Sequence, residues 1–354
     1  MAKKNKDKSK VCLPGVCPSE LRFDLVSKDW VVIATGRAKR PETFKREKRA
    51  KKEVSQRVCP FDKIDTQEEP TLIFSQGKKV FFKIGNKIPK NWTTVSIPNK
   101  YPAFIPYLKL DRKSKDSLFQ TMNAVGFHEV VVTKDHKKQI AQLQISQVKE
   151  VIDVYHGRFK EMIEEKFVNY VSIFHNHGTE AGASIAHPHS QIITTPLIDS
   201  DLRKALVNSK NYYKKHRKCI YCVMSDWERK NKERVVFENK GFLVICPFAS
   251  KAAFEMIISP KKHLPYFEKI SEKEKLQLAQ ALRVALNKLY KGLGDPAYNF
   301  YLHTAPCDGE NYDHYHWHWT ILPKTATWAG FELGTGIEIS TIEPEKAAEY
   351  LRKQ

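Results

Sequence analysis

Phe174-His175-Asn176-His177-Gly178-Thr179-Glu180-Ala181-Gly182-Ala183-Ser184-Ile185-Ala186-His187-Pro188-His189-Ser190-Gln191-Ile192-Ile193 is the stretch on which the reading of this chain turns. In an extended segment, His187 and His189, two apart across a rigid proline, point to the same side. The glycine-rich approach leaves backbone N–H groups free to face an anion. This combination suits a histidine that attacks phosphorus. The competing reading is a pair of buried, hydrogen-bonded structural histidines. It accounts less well for glycine approach, proline and glutamine occurring together.

The chain has 354 residues, enough for two ordinary domains or one duplicated fold. Hydrophobic residues make up 41% and aromatic residues 11%, which excludes global disorder. No apolar run is long enough to span a membrane. Met1 to Lys10 is Lys-rich with no apolar stretch behind it, so it reads as a solvated tail and not a secretory signal. Sixty Lys and Arg against 40 Asp and Glu give a net charge of +20, which favours anionic partners in general. The seven cysteines are an odd number for a disulfide framework, and Cys219-Ile220-Tyr221-Cys222 has metal-ligand spacing. A reducing cytoplasm is the expected compartment.

Arg22 to Val26 and Trp30 to Thr35 read as a strand pair turning near Ser27 to Asp29. Val80 to Lys83, His128 to Thr133, Asn169 to Phe174 and Gln191 to Thr195 read as further strands. Ser146 to Lys166 places Val148, Val151, Ile152, Tyr155, Phe159, Met162 and Ile163 at helical spacing. A basic helix is expected over Asp201 to Lys218. The second half repeats the plan, with strands at Arg234 to Glu238, Phe242 to Cys246, Phe254 to Ser259 and Asn299 to His303. Ser271-Glu272-Lys273-Glu274 is a capping box opening a helix over Glu272 to Lys291 that stops at Gly292. Glu343-Pro344 opens a short terminal helix.

The repetition extends to possible metal ligands. Cys59 is followed by His136 and then His187; Cys219 and Cys222 are followed by His263 and then His316-Trp317-His318. Nearly the same interval separates the last two histidines in each series, and matching strand, helix and turn contexts accompany them. The chain therefore reads as a duplicated α+β unit with a boundary near residues 196 to 230.

Asn176 to Gln191 resembles the signature of the galactose-1-phosphate uridylyltransferase family, a branch of the histidine-triad superfamily. The resemblance runs from Arg22 to the C-terminus. It takes in Trp30-Val31-Val32-Ile33, Arg37-Ala38-Lys39-Arg40-Pro41, Cys59-Pro60-Phe61, Thr133-Lys134-Asp135-His136 and the second histidine cluster. It implies a duplicated histidine-triad-like unit, two antiparallel-sheet halves with packed helices. On that plan residues 1–20 are a basic tail, 21–196 the N-terminal catalytic domain, 197–230 a linker and helix region, and 231–354 the C-terminal domain. Subunits of this family pair as homodimers.

By the same resemblance His189 is the nucleophile. A neutral imidazole is a competent nucleophile near neutral pH. It would attack the α-phosphorus of a nucleotide sugar, release sugar 1-phosphate, and pass the nucleotidyl group to a second acceptor. Gln191 donates its amide to a phosphoryl oxygen as charge shifts. Asn176, Ser184 and Gln191 contact the phosphates, Gly182 allows close backbone approach, and Arg37 and Arg40 lie near the nucleotide and diphosphate. No organic cofactor is expected.

Zinc is expected at one or two sites. The family often has Cys-x-x-Cys where this chain has Cys59-Pro60-Phe61-Asp62. Aspartate binds zinc through oxygen, so Cys59, Asp62, His136 and His187 form one set; a loop that has lost its metal is the alternative. Cys219, Cys222, His263 and His316 form the second set, whereas Cys12 and Cys17 are read as unliganded. Some relatives hold iron with a glutamate and three histidines, but no glutamate lies between Glu180 and Glu228 to join His303, His316 and His318. The second cluster has no glutamine equivalent to Gln191 and is read as structural. The run Phe331-Glu332-Leu333-Gly334-Thr335-Gly336, where the hexose or nucleotide is judged, resembles the ADP-glucose phosphorylase branch. The expected reaction is exchange between UDP-glucose and galactose 1-phosphate, with adenylyl transfer to phosphate as the alternative. A nucleic-acid-binding histidine-triad protein ranks third, since no RNA-binding signature accompanies the charge.

Overall fold

A computed structural model describes residues 19–34, 44, 58–106 and 110–354. Arg37, Arg40, Cys12, Cys17 and residues 1–18 of the basic tail lie outside the described residues, and Glu20, expected to end that tail, opens a strand. The first half contributes β1 (Glu20–Phe23), β2 (Trp30–Ile33), β3 (Leu72–Ser75), β4 (Lys78–Val80), β5 (Thr94–Pro98), β6 (Arg112–Lys115), β7 (Phe119–Met122) and β8 (His128–Thr133). Helix α1 (Ile145–Met162) leads to β9 (Tyr170–His177) and β10 (His189–Thr195), followed by α2 (Ser200–His216) and α3 (Ile220–Asn231). The second half supplies β11 (Val235–Glu238), β12 (Phe242–Ile245), β13 (Met256–Pro260), α4 (Glu272–Leu293), β14 (Tyr298–His303) and β15 (His318–Pro323). Helix α5 (Gly330–Thr335), β16 (Ile339–Ser340) and α6 (Pro344–Arg352) complete it. None of the described helices is long and apolar enough to cross a membrane.

The two halves share one sheet. Eleven strands run β11-β12-β13-β15-β14-β9-β10-β8-β5-β3-β4, antiparallel throughout. The seam is β9 against β14, with His177 opposite Tyr298 and Phe174 opposite Tyr301. About this seam β8–α1–β9–β10 repeats as β13–α4–β14–β15. Helices α1 and α4 contact each other, and their apolar residues bury a shared core with the sheet.

Period-two alternation sorts the central motif between the two faces of the sheet. Ile192 enters the helix-side core with Tyr155 and Phe159, and Ser190 follows it by hydrogen bonding to Tyr155. His189 and Gln191 therefore face the other way. In β15 the same rule sends Trp319 and Ile321 into the core and His318 to the opposite face.

Several element boundaries differ from the sequence expectation: the first strand is Glu20–Phe23 rather than Arg22 to Val26, α1 ends at Met162 rather than Lys166, β9 runs on to His177, and β13 starts at Met256 rather than Phe254. Helix α4 continues through Gly292 and ends at Gly294, whose φ of +70° suits a left-handed cap. Glycine stands at 292 because the C-terminal segment packs on it: a Cβ there would lie 3.1 Å from side-chain carbons of both Tyr350 and Gln354. The strand expected over Val80 to Lys83 is instead Lys78–Val80, the edge partner of β3 across Gln76-Gly77. Both turn residues have positive φ, +50° and +80°, as a tight hairpin requires. Phe81, beyond the last pair, is exposed.

Candidate active site

Strand β10 opens on the nucleophile candidate. His189 Nδ1 lies 2.8 Å from the carbonyl oxygen of His187, so Nδ1–H donates to it and Nε2 carries the free lone pair. Phe61 packs against the His189 ring at 5.1 Å and against His187 at 5.8 Å. Burial pushes His189 below the ordinary histidine pKa, which favours the neutral ring.

The flanking residues divide into those brought close and those held apart. Gln191 lies two residues along the same face, its Oε1 2.7 Å from His128 Nε2. Across the seam, Asn299 Nδ2 donates to Asn176 Oδ1 and to the Ala181 carbonyl, both at 2.8 Å. That pair ties the glycine loop to the second half. Gly182 has φ +87°, which accounts for glycine there. Ser184 is exposed on the same loop. The expectation of a wholly free N–H cradle is corrected. Ala181 and Ala183 N–H donate to Gly178 O, and Gly182 N–H donates to Thr179 O, because the loop winds into a 3-10 turn. Phe331 sits half-exposed on α5 and makes no ring contact with the His189 cluster. Just before α5, a cavity of about 360 Å³ is lined by Glu180, Lys251, Leu322, Lys324, Thr325 and Trp328. It places two lysines next to the glycine loop.

Both expected ligand sets are assembled. The ligand atoms of Cys59, Asp62, His136 and His187 lie within 4.8 Å of one another, as do those of Cys219, Cys222, His263 and His316. In the first set His187 Nε2 donates to Thr133 O at 2.7 Å, leaving its Nδ1 lone pair facing inward. That Nδ1 meets Cys59 Sγ at 3.6 Å, His136 Nδ1 at 3.2 Å and Asp62 Oδ1 at 3.7 Å. The second set follows the same design: His263 Nε2 donates to Asp313 O and His316 Nε2 to Pro260 O, at 2.8 and 2.9 Å. Both Nδ1 atoms then lie 3.4 Å from Cys222 Sγ. Tetrahedral zinc ligands bound at about 2.0–2.3 Å sit roughly 3.3–3.8 Å apart, so both clusters suit such an ion. Backbone carbonyls orienting the outer ring nitrogens are the usual outer shell of a metal site.

The second half repeats this scaffold with different surroundings. His318 Nδ1 faces His316 O at 3.2 Å, the counterpart of the 2.8 Å pair of His189 and His187 O. His318 is buried, however, with Tyr221 and His303 rings 5.3 and 4.8 Å away, and burial takes its pKa down to about 4. Thr320 stands where the first half has Gln191. His128, Asn299 and the packing role of Phe61 were missed in the sequence. Only strand pairing reveals the first two.

The chain is similar to known proteins over nearly its whole length. The model of the galactose-1-phosphate uridyl transferase N-terminal domain matches residues 15–199, and that of the C-terminal domain matches residues 205–353. ADP-glucose phosphorylase of Arabidopsis thaliana is 31% identical over 340 residues, covering 94% of this chain and 92% of that protein. Galactose-1-phosphate uridylyltransferase of Thermotoga maritima is 28% identical over 348 residues, covering 94% and 98%. The crystal structure of the Arabidopsis thaliana ADP-glucose phosphorylase with bound ADP-glucose superimposes with a TM-score of 0.76 at 29% identity, covering 95% of this chain and 99% of that one. The chain belongs to the galactose-1-phosphate uridylyltransferase family of nucleotidyl-transferring enzymes.

Proposed function

We propose that this chain moves a nucleoside monophosphate between sugar 1-phosphate acceptors through a covalent intermediate on His189 Nε2. The observation that carries this is the hydrogen bond from His189 Nδ1–H to His187 O, which leaves Nε2 as the free lone pair. In the first step Nε2 bonds to the α-phosphorus and the bond from phosphorus to the bridging oxygen breaks. The departing sugar 1-phosphate takes the electron pair. In the second step an acceptor phosphate oxygen attacks the same phosphorus and His189 leaves. Gln191 Nε2, Asn176 and the Ser184 hydroxyl act on phosphate oxygens, and Arg37 and Arg40 on the nucleotide. The main reading is UMP exchange between UDP-glucose and galactose 1-phosphate, after the uridylyltransferase relatives. The second is adenylyl transfer to phosphate, favoured by the similarity to ADP-glucose phosphorylase and by Phe331 to Gly336.

Zinc would be held by Cys59, Asp62, His136 and His187 and by Cys219, Cys222, His263 and His316. Its contribution would be structural: by gripping His187 it would steady the carbonyl that orients His189. A cytoplasmic homodimer belongs to the same reading, and sedimentation tests the pairing. The reaction is tested by exchange of labelled glucose 1-phosphate into UDP-glucose or ADP-glucose with no second acceptor present. A two-step path requires exchange, and the nucleotide that supports it identifies the group moved. Turnover in a complete mixture without partial exchange would exclude the covalent path.

A further inference from the structure

Gln191 acts in the proposed reaction only if its amide nitrogen, and not its oxygen, faces the phosphoryl group. The two ends differ by a half-turn of the terminal torsion, and the wrong one sets a carbonyl oxygen against anionic oxygens. Something must choose the orientation. His128 opens β8 opposite Ile193, while Gln191 lies opposite Val130, so the two side chains are diagonal neighbours on one face of the sheet. His128 Nε2 and Gln191 Oε1 are 2.7 Å apart.

The tautomer of His128 follows from its other nitrogen. The Ala103 backbone N–H donates to His128 Nδ1 at 3.1 Å, and a backbone N–H has no lone pair to accept with. Nδ1 is therefore the bare nitrogen of the neutral ring, and Nε2 carries the proton. Asn99 Nδ2 lies 3.0 Å from Nε2, but Asn99 Oδ1 accepts from the Tyr101 N–H at 2.9 Å. That bond keeps the Asn99 oxygen away from His128. The Nε2 proton goes to Gln191 Oε1. Among the described residues the Gln191 NH2 has no acceptor, so it is available to a ligand.

We propose that His128 is a positioning residue, holding the Gln191 oxygen and thereby presenting the Gln191 NH2 to the phosphoryl group attacked by His189. This rests on the reading of Gln191 as a phosphoryl donor. The chain Ala103–His128–Gln191 links the loop after β5 to the strand that carries His189, although His128 and Gln191 are 63 residues apart.

The experiment measures nucleotidyl–enzyme formation in full-length wild type, His128→Leu, His128→Gln, Gln191→Ala and the His128→Leu/Gln191→Ala double variant. His128→Leu should lower the rate roughly 10- to 100-fold with little change in KM. It should have almost no further effect once Gln191 is alanine. His128→Gln, which can both accept from Ala103 and donate to Gln191, should recover part of the rate. An undiminished rate in His128→Leu, or a loss that multiplies with that of Gln191→Ala, overturns the proposal. The 15N shifts of the His128 ring near neutral pH give a readout independent of activity. An Nε2-protonated ring agrees with the proposal, and an Nδ1-protonated ring refutes it. A wild type that forms no adduct with any nucleotide sugar defeats the reading of the reaction, while the ring shifts still decide whether His128 orients Gln191.

Discussion

Ser190 lies between His189, the proposed nucleophile, and Gln191 but points the opposite way, and replacing it with alanine should cost more than its single hydroxyl implies. Its Oγ is 2.5 Å from Tyr155 Oη and 2.9 Å from His175 Nδ1. All three groups are buried; Tyr155 is fully so, and the His175 ring stacks on Phe300 at 4.9 Å. Burial lowers the His175 pKa well below its usual value, so the ring is neutral. His175 Nε2 already lacks a partner. Ser190→Ala strands both the tyrosine hydroxyl and His175 Nδ1, and each stranded buried group costs about 1–3 kcal/mol. The loss is therefore about 2–6 kcal/mol. Tyr155→Phe leaves Ser190 bonded to His175 and should cost about 1 kcal/mol. The double variant should be more stable than Ser190→Ala alone, because the tyrosine hydroxyl is no longer stranded. Urea unfolding of the four proteins at neutral pH measures this cycle. If Tyr155→Phe costs as much as Ser190→Ala, or if the double variant loses the sum of the two, the shared-hydroxyl account is wrong.

Burial lifts the Glu255 carboxyl to about 7, far above an unfolded glutamate. The folded state holds this proton longer than the unfolded state, so wild-type stability falls as pH rises from about 4.5 to about 7. Glu255→Gln should thus gain on wild type over that window, by about 3 kcal/mol once both states are ionised, and match it at lower pH. Equal stability curves by denaturation across pH would refute this. Elemental analysis should find two zinc ions per chain in wild type and one in Cys219→Ser. With Asp62 replacing a thiolate, the first site should yield its ion to a chelator sooner than the second, and Asp62→Cys should remove that difference. Simultaneous loss from both sites would contradict the assignment.

The duplicated plan was legible because it is written in periodicities. The stripe from Val148 to Met162 became α1, and Ser271 with Glu274 formed the expected capping box. Strands β3 and β5 escaped notice because Leu72-Ile73-Phe74 and Thr94 to Ile97 are short and buried nearly throughout, so they show no alternation. Helix α3 was hidden for another reason: Cys219 serves as its N-cap, so the metal spacing masked a helix start. Residue type and spacing named the residues of both ligand sets, which the fold brings together, and the family resemblance named His189 as the proposed nucleophile. The His128 partnership depends on strand register across β8 and β10, and the N–H bonds that close the Gly178 loop depend on backbone angles. Neither leaves a mark in local sequence.

The central claim is a nucleotide carried on His189 Nε2. Brief incubation with UDP-glucose or ADP-glucose, quenching at alkaline pH and peptide mapping by mass spectrometry tests it most directly. The account predicts one acid-labile nucleotidyl group on the peptide carrying His187 to Gln191, assigned to His189 and absent from His189→Ala. A nucleotidyl group on any other residue, or undiminished labelling of His189→Ala, would contradict it.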